Sequence, residues 1–227
     1  MSNSILIVED DENIRELINF NLIKEGYRVF TAQDGEEGYR KALNLKPSII
    51  LLDIMLPKID GLKVCQLLRE NPQTSTIPII MITAKGEEED IVKGLAIGAD
   101  DYITKPFGPR VFMARIKAME RRTKKEDNQE EVISYHGITI DPSRRKILSQ
   151  GKNIKMTYSE FQILHLLARN PGKVFSRSKI VTTIHGKNHA ITDRAVDVQI
   201  VTIRKKLEQQ GQFVETVRGV GYRLRES

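Results

Sequence analysis

Cysteine and tryptophan are almost missing from this chain of 227 residues, which contains one cysteine and no tryptophan. The single cysteine, Cys65, excludes an intrachain disulfide bond and is typical of a protein in the reducing cytoplasm. It lies within LKVCQLL, an apolar pattern of helical period, and free cysteines are among the most often buried residues. We therefore expect a packed, unreactive thiol and a cytoplasmic protein.

Long apolar runs are also lacking. No stretch of 18 apolar residues occurs, so no membrane-spanning helix is expected. The first residues, MSNSILIVEDD, have no basic segment followed by an apolar stretch, and we expect no signal peptide. The pattern G-x-x-x-x-G-K-[ST] is absent, which excludes a P-loop nucleotide hydrolase.

Charge is unevenly distributed along the chain. Residues 1–123 carry 17 Lys and Arg against 19 Asp and Glu, a net charge of −2, whereas residues 124–227 carry 19 against 11, a net charge of +8. A basic half beside a weakly acidic half suggests that the basic half binds a polyanion, but a basic surface that is merely soluble explains the charge equally well. The motifs have to decide between the two interpretations.

The first half alternates short apolar runs with longer amphipathic segments, which predicts a parallel β-sheet with helical crossovers. The runs are short, β-branched and apolar, as in strands covered on both faces. Five strands are predicted, at 5–9, 27–32, 49–53, 77–83 and 101–105. Helices are predicted near 12–25, 35–45, 61–70, 86–97 and 109–122. This pattern indicates a doubly wound α/β domain over residues 1–122.

The composition changes at TKKEDNQEE, residues 123–131, which is polar, charged and free of large apolar side chains and therefore predicts a linker. Residues 132–227 then follow an α+β pattern. The segments ISYHGITID, RKILSQ and NIKMT predict an antiparallel meander, and FVETVRGVGYRLR predicts two strands joined by a glycine-containing turn. Three helices are predicted between them, near 158–169, 176–185 and 193–208.

Charged and hydroxyl side chains stand at the carboxyl ends of the predicted parallel strands, where open sheets of this kind bind ligands. The first strand ends in Glu9, Asp10 and Asp11, the third in Asp53, the fourth in Thr83 and the fifth in Lys105. An unpaired carboxylate is costly to bury, so we expect Asp53 just outside its strand, among charged partners. Asp11 instead suits the N-cap of the helix that begins at residue 12.

This set of side chains suits phosphoryl transfer. Clustered carboxylates favour a hard cation such as Mg²⁺, and a carboxylate beside a divalent cation can attack a phosphoryl group. Lys105 would neutralise charge on the phosphoryl oxygens, and Thr83 would hydrogen-bond one of them. Solvated strand ends without a common role are the alternative, but coincidence explains poorly why Asp10, Asp53, Thr83 and Lys105 occupy four separate strand ends.

The motifs VEDDE, LLDIMLPKIDGL, PIIMITAK and GADDYITKPF resemble the flavodoxin-like receiver domain of two-component response regulators. The resemblance covers about the first 122 residues. It implies that Asp53 accepts phosphate from a phosphohistidine on a sensor kinase. It also implies that Asp10 and Asp53 hold Mg²⁺ directly. Glu9 would hold the ion through water, and Met55 would add its backbone carbonyl.

The same resemblance assigns roles to further residues. Lys105 would bind the phosphoryl group, and the Lys105–Pro106 peptide would be cis, which would aim the lysine side chain. Thr83 and Tyr102 match the switch pair of the family. In that pair the hydroxyl moves to the phosphate and the aromatic ring follows it inward.

The helix predicted from residue 193 has one apolar face. Val196, Ile200, Ile203 and Leu207 recur at helical spacing and therefore pack inward. Thr192 or Asp193 can cap the helix start. The opposite side is free to meet a partner and carries Arg194, Val198, Gln199, Val201, Thr202, Arg204 and Lys205. A helix of this size fits the DNA major groove, although an ordinary surface helix has the same pattern.

The segments MTYSEFQILHLLARNPGKVFSRSKI, DRAVDVQIVTIRKKL and VETVRGVGYRL resemble the winged-helix DNA-binding domain of the OmpR/PhoB subfamily, over residues 132–227. The resemblance implies that residues 193–208 form the recognition helix and that RGVGY forms the wing. Arg218 would reach the minor groove, and Tyr222 would belong to the DNA-binding surface. In relatives the loop HGKNHAIT can touch RNA polymerase, which makes RNA polymerase an expected partner, although this loop departs from the usual sequence at His185.

Two parts of this second domain depart from the subfamily pattern. Val201 and Thr202 stand where relatives often carry Arg, so we expect a salt slope shallower by roughly one unit per lost phosphate contact. Their methyl groups and those of Val198 would meet thymine methyls, and Gln199 is a candidate for reading adenine.

His185 replaces the usual Trp before Gly186. A metal pair formed with His189 is disfavoured, because structural zinc sites need four ligands and no Cys or carboxylate partners lie nearby.

The face through which receivers usually dimerise departs as well. Asp101 and Arg115 keep one of the charge pairs of the family, whereas Ile91 and Val111 stand where a second pair is usual. We expect an apolar contact there, which would depend less on salt than an ion pair. The alternative is that both residues lie in the receiver core or at an exposed point without a role.

These features favour a transcription regulator that is switched by phosphorylation and is not an enzyme. Phosphate on Asp53 would promote pairing of two receivers, and the dimer would bind direct repeats in double-stranded DNA. Its partners would be a sensor histidine kinase, DNA and RNA polymerase, with no membrane. An aspartate-nucleophile phosphatase is one alternative, but it generally needs a second acid at the position of Met55. A DNA-binding regulator that works without phosphorylation is another.

Overall fold

The structure is a computed structural model that describes residues 4–84, 94–95, 97–124, 131–186 and 193–226. The chain divides into two compact units, residues 1–117 and residues 118–227. Among the described residues, no helix combines the length and the apolar character needed to cross a bilayer.

The described residues of the first unit include five strands, β1 (Ser4–Val8), β2 (Arg28–Ala32), β3 (Ile49–Asp53), β4 (Ile79–Ala84) and β5 (Asp101–Lys105). They form one parallel sheet in the order β2-β1-β3-β4-β5. The helices of this unit include α1 (Glu12–Lys24), α2 (Gly35–Leu45), α3 (Gly61–Glu70) and, as far as Lys117, α4 (Pro109–Lys124), which continues into the second unit. The predicted α/β fold is confirmed, and because all strands run the same way their carboxyl ends share one edge.

Burial explains the apolar sequence of the central strands. The side chains of Ile50, Leu51 and Leu52 in β3 are fully buried, as are the equivalent residues of β1 and β4. A strand buried on both faces needs apolar residues at consecutive positions rather than alternate ones. This arrangement leaves polar side chains only where each strand ends.

Aspartate N-caps mark the first residue of three helices in the first unit. Asp11, Asp34 and Asp60 precede α1, α2 and α3, and each side chain accepts hydrogen bonds from backbone N–H groups of the first turn. The predicted cap at Asp11 is therefore confirmed. The helix predicted near 86–97 lies mostly outside the described residues, although Gly94, Leu95 and Ile97 are helical.

Helix α4 runs to Lys124, two residues into the predicted linker, and residues 125–130 of that linker lie outside the described ranges. Further along the second unit lies an antiparallel sheet of four strands, β6 (Ile133–Tyr135), β7 (Ile138–Asp141), β8 (Lys146–Ser149) and β9 (Lys152–Ile154). This is the predicted meander, with strand bounds that the sequence located only approximately.

Three helices follow, α5 (Tyr158–Ala168), α6 (Arg177–His185) and α7 (Asp193–Leu207), with a 3₁₀ helix at Glu208–Phe213. A two-residue strand, β10 (Phe175–Ser176), precedes α6, and the chain ends in the hairpin β11 (Val214–Val217) and β12 (Gly221–Leu224). These three strands form an antiparallel sheet in the order β10-β12-β11. Sequence patterns missed β10, since two residues are too few to show a strand period.

Candidate functional site

The carboxyl edge of the parallel sheet gathers charged side chains from separate strands. Glu9 and Asp10 follow β1, Asp53 ends β3 and Lys105 ends β5. The ligand oxygens of Glu9, Asp10 and Asp53 lie within 4.8 Å of one another. Lys105 Nζ lies 2.6 Å from Asp53 Oδ2 and 2.8 Å from Glu9 Oε2. The structure thus brings these four side chains into one acidic pocket.

Asp53 is more buried than the sequence suggested. It belongs to β3 as its last residue and is 4% exposed, whereas we expected it just outside the strand. The expected charged partner is present, and it is the ammonium of Lys105. Because the ion pair and a hydrogen bond from the Met55 N–H, at 3.1 Å, satisfy the carboxylate, its burial is tolerable.

Burial also sets the protonation of this pocket. Glu9 is fully buried, and burial raises the pKa of its carboxyl to about 7 even though the hydrogen bond from Lys105 opposes the shift. For Lys105, burial lowers the pKa, but hydrogen bonds to Asp53 and Glu9 outweigh it and the net shift is upward. The lysine is therefore a fixed positive charge beside a carboxyl that can exchange protons near neutral pH.

Two residues that the sequence analysis missed shape the pocket. Arg15 Nη1 donates to the carbonyls of Glu9, at 2.8 Å, and Asp10, at 3.0 Å, and so holds the loop after β1. Gly61, at the start of α3, lies so close to β3 that a Cβ there would be 1.9 Å from the Asp53 carbonyl oxygen. The Asp60–Gly61 pair, a helix cap followed by glycine, was the available signal for this close approach.

The predicted switch residues lie on neighbouring strands beside the pocket. Thr83 is buried and directly follows Ile82, the residue that pairs with Asp53 in the sheet. Its hydroxyl donates to the Ala84 carbonyl at 3.2 Å. Tyr102 is fully buried, so its ring lies in the inward position. The Lys105–Pro106 peptide is cis, as the sequence resemblance implied.

In the second unit, α7 presents the two faces that its sequence predicted. Val196, Ile200, Ile203 and Leu207 are all buried. On the other side, Val201 is 62% exposed, and Arg194 and Lys205 are exposed. The turn between β11 and β12 carries Arg218, which is exposed, and Gly219, whose φ of 72° suits glycine. A helix with a cationic outer face and a projecting basic hairpin are suited to a polyanion.

Known families and proteins match both units. The response regulator receiver domain family matches residues 5–117, and the family "transcriptional regulatory protein, C terminal" matches residues 151–224. The phosphate regulon transcriptional regulatory protein PhoB of Klebsiella pneumoniae is 43% identical over 226 residues, which cover 99% of this chain and 98% of that protein. The alkaline phosphatase synthesis transcriptional regulatory protein PhoP of Bacillus subtilis is 41% identical over 237 residues, covering 100% and 98%. The solved structure of a RitR mutant has 27% identity and a TM-score of 0.78 over the whole of both chains.

The chain belongs to the OmpR/PhoB family of two-component response regulators. It is therefore a transcription regulator with a receiver domain and a winged-helix DNA-binding domain, as the sequence resemblance indicated.

Two residues assigned to the DNA-binding surface of this regulator are buried, contrary to prediction. Gln199 is 4% exposed, because helix α7 is covered over a wider arc than its four apolar positions indicated. Tyr222 is also 4% exposed, and its hydroxyl donates to Asp197 Oδ1 at 2.5 Å. Arg177 donates to the same oxygen at 2.6 Å and to the tyrosine oxygen at 3.2 Å. This clasp, Arg177–Asp197–Tyr222, ties together α6, α7 and the wing strand β12.

Two further residues of α7, Arg204 and Thr202, form hydrogen bonds within the DNA-binding domain. The Arg204 guanidinium donates to the Val214 carbonyl and to Thr216 Oγ1, both at 2.8 Å, and so joins α7 to the wing. The Thr202 hydroxyl donates to the Val198 carbonyl at 3.1 Å, one turn earlier in the helix. The hydroxyl of Thr202 is thereby engaged within the helix, and the contact of its methyl group with thymine stays a prediction.

The predicted dimer face is partly described. Arg115 Nη1 lies 3.2 Å from Asp101 Oδ1 of the same chain, so this ion pair forms within the receiver. Val111 is 57% exposed, which excludes a core position for it. Ile91 lies outside the described residues, as do His189 and Thr192. His185 is buried, and Cys65 is fully buried as predicted.

Proposed function

We propose that Asp53 accepts a phosphoryl group from a phosphohistidine of a sensor histidine kinase, and that this phosphorylation controls binding to double-stranded DNA. The observation that carries the proposal is the contact of Lys105 Nζ with Asp53 Oδ2 at 2.6 Å, beside the carboxylates of Glu9 and Asp10. We assign the receiver to residues 1–122, the linker to 123–131 and the DNA-binding domain to 132–227, and place the regulator in the cytoplasm.

In the transfer, a carboxylate oxygen of Asp53 forms a bond to phosphorus while the bond from phosphorus to the histidine nitrogen breaks. The electron pair of that bond goes to the histidine nitrogen. Lys105 supports the reaction because its ammonium already lies at the Asp53 carboxylate, where it would balance charge on the phosphoryl oxygens. The Thr83 hydroxyl would leave the Ala84 carbonyl and donate to one of those oxygens.

The donors of the pocket fit Mg²⁺. Three carboxylates with ligand oxygens within 4.8 Å of one another supply the oxygen ligands that a hard divalent cation prefers. Asp10 and Asp53 would hold the ion directly, Glu9 would hold it through water, and Met55 would add its backbone carbonyl. When bound, the ion offsets the negative charge of the carboxylates and of the incoming phosphoryl group.

Helix α7 would enter the major groove, with Arg194, Lys205 and the methyl groups of Val198, Val201 and Thr202 toward the DNA. Arg218 on the wing would reach the minor groove. Phosphorylated receivers would pair through the face around Val111, which makes binding of the second DNA-binding domain intramolecular. RNA polymerase would be contacted by the loop after His185.

A phosphatase would use the same aspartate, but the position that would supply its general acid is occupied by Met55, whose side chain is 74% exposed. A methionine cannot donate a proton to a leaving group. This observation favours a stable phosphoaspartate over turnover.

Incubation with acetyl phosphate and Mg²⁺ tests the proposal, with Asp53→Asn as the matched control. We expect the mass of one phosphoryl group on the wild type, a shift from monomer to dimer in sedimentation velocity and neither change in the variant. Continuous release of inorganic phosphate without dimerisation would support a phosphatase. No mass gain, with DNA binding intact, would support a regulator that works without phosphorylation.

A further inference from the structure

The inward position of the Tyr102 ring depends on a glycine in a different element. A Cβ placed on Gly94 would lie 1.6 Å from the Tyr102 hydroxyl oxygen and 2.9 Å from Tyr102 Cζ. Its next nearest neighbour would be Leu62 Cδ2, at an ordinary contact distance of 3.4 Å. Tyr102 is fully buried, so its hydroxyl occupies the space that a side chain at position 94 would fill.

The backbone itself does not require glycine at this position. Gly94 is helical and is not among the glycines with positive φ. Alanine is a better helix former than glycine by roughly 1 kcal/mol, so local propensity alone would favour alanine here. The absence of a side chain at Gly94 is therefore explained by the tyrosine and not by the helix.

The helix end cannot easily withdraw to make room. The Gly94 carbonyl accepts hydrogen bonds from Gly98 N, at 3.0 Å, and Ala99 N, at 2.9 Å, which close the helix in the glycine-terminated manner. The next residue, Asp100, is joined to Ile79 of β4 by two hydrogen bonds of 2.9 Å, one to each backbone polar group. Asp100, six residues after Gly94, thus ties this part of the chain to the sheet. A clash between a side chain at position 94 and Tyr102 would therefore be relieved by movement of the Tyr102 side chain.

We propose that Gly94 is a positioning residue for the Thr83–Tyr102 switch, because it provides the space that the inward tyrosine needs. The proposal rests on the proposed function, in which phosphorylation draws Thr83 to the phosphate and stabilises the inward position of the ring. A methyl group at position 94 would turn the ring outward and so disfavour the form that phosphorylation stabilises, without touching the acidic pocket.

The test uses the full-length chain with Gly94→Ala, and with Gly108→Ala as the matched control, because a Cβ at Gly108 meets nothing within 4 Å. Nitration by tetranitromethane, located by peptide mass mapping, reports whether Tyr102 is accessible. We expect Tyr102 to be protected in the wild type and in Gly108→Ala and to be nitrated in Gly94→Ala. After treatment with acetyl phosphate, Gly94→Ala should still gain the phosphoryl mass, but its dimer should dissociate at a concentration at least tenfold higher.

The same substitution in a chain that lacks the tyrosine ring separates an effect through Tyr102 from a general destabilisation of the receiver. In a Tyr102→Leu chain, adding Gly94→Ala should cause no further loss of dimerisation, since the clash no longer exists. The inference is overturned if Gly94→Ala leaves Tyr102 protected and dimerisation unchanged, or if its effect persists in the Tyr102→Leu chain. A wild type that takes up no phosphate would overturn the proposed function instead, and the nitration result would still decide the inference.

Discussion

At the level of single residues, the receiver unit matches its buried acids with cations from other parts of the chain. Asp34, Asp53, Asp100 and Asp101 contact Lys58, Lys105, Arg69 and Arg115, and Glu9 shares Lys105 with Asp53. Arg69 makes three hydrogen bonds besides its ion pair, since it also donates to the carbonyls of Ser75, Ile77 and Gly98. These contacts hold the loop before β5 against the end of α3, and so support the strand that carries Tyr102 and Lys105.

Arg69→Met should therefore destabilise the receiver strongly. The side chains of Arg69 and Asp100 are 8% and 0% exposed, and removal of one partner of a buried ion pair costs about 3–5 kcal/mol. We expect the first urea unfolding transition of the full chain to move to a markedly lower midpoint. Lys58→Met is the control, because the Lys58 side chain is 59% exposed in its pair with Asp34, and its midpoint should hardly move. Equal shifts for both variants would contradict this account.

The lone cysteine gives a second prediction at this level. Cys65 is fully buried, and burial raises the pKa of its thiol to about 11. Because the thiolate is the reactive form, the native protein at pH 8 should react with dithionitrobenzoate at least ~100-fold more slowly than a free cysteine. In denaturing urea the full thiol should react at once. Rapid labelling of the native chain would show that α3 opens or that the thiol is reachable.

At the level of helices and strands, the sequence was informative where burial leaves an apolar pattern. The strands β1, β3 and β4 were found as short runs of consecutive apolar residues, and the inner face of α7 was found by its helical spacing. The sequence was less informative about contacts between distant elements. Helical spacing placed Gln199 on the outer side of α7, but it could not show what covers that side.

The acidic pocket could be predicted because strand ends and sheet direction bring together residues up to 96 positions apart, such as Glu9 and Lys105. Its finer geometry could not. That geometry depends on the conformation of the loops at the strand ends. It includes the burial of Asp53, the hydrogen bonds from Arg15 and the close approach of Gly61. The role of Tyr222 was also missed, because the tyrosine is in an exposed-looking hairpin whose partner, Asp197, is 25 residues away.

The clasp formed by Arg177, Asp197 and Tyr222 should control how α7 and the wing are presented to DNA. Tyr222→Phe keeps the buried ring and removes the hydroxyl that donates to Asp197 at 2.5 Å. A lost hydrogen bond of this kind costs about 0.5–1.5 kcal/mol, so we expect affinity for DNA to fall roughly 2- to 10-fold. Fluorescence anisotropy on a promoter fragment found by genome-wide mapping measures the change. Phosphorylation of Asp53 should be unaffected. Unchanged DNA affinity would show that the clasp does not position α7 and the wing for DNA binding.

At the level of the whole molecule, regulation requires the receiver to change what the DNA-binding domain can do. Charge fits this division, because residues 124–227 carry the net charge of +8 while residues 1–123 carry −2. The sequence resemblance implies a DNA-binding domain with fewer arginines on α7 than in relatives, which would weaken the electrostatic contribution to DNA binding. Such a domain gains more from being paired, since pairing raises the effective concentration of the second copy rather than the strength of each contact.

Val111→Asp tests this coupling directly. Val111 is 57% exposed at the start of α4, and an apolar contact around it would be broken by a desolvated carboxylate. We expect the phosphorylated variant to remain a monomer in sedimentation velocity, at salt concentrations where the wild type is a dimer. Its apparent affinity for a direct repeat should fall by about 10²-fold or more, while affinity for a single half-site stays the same. Val132→Asp is the matched control, because Val132 is 56% exposed and lies outside the receiver. If Val111→Asp still dimerises like the wild type, pairing does not use this face, and the receiver must act on DNA binding by another route.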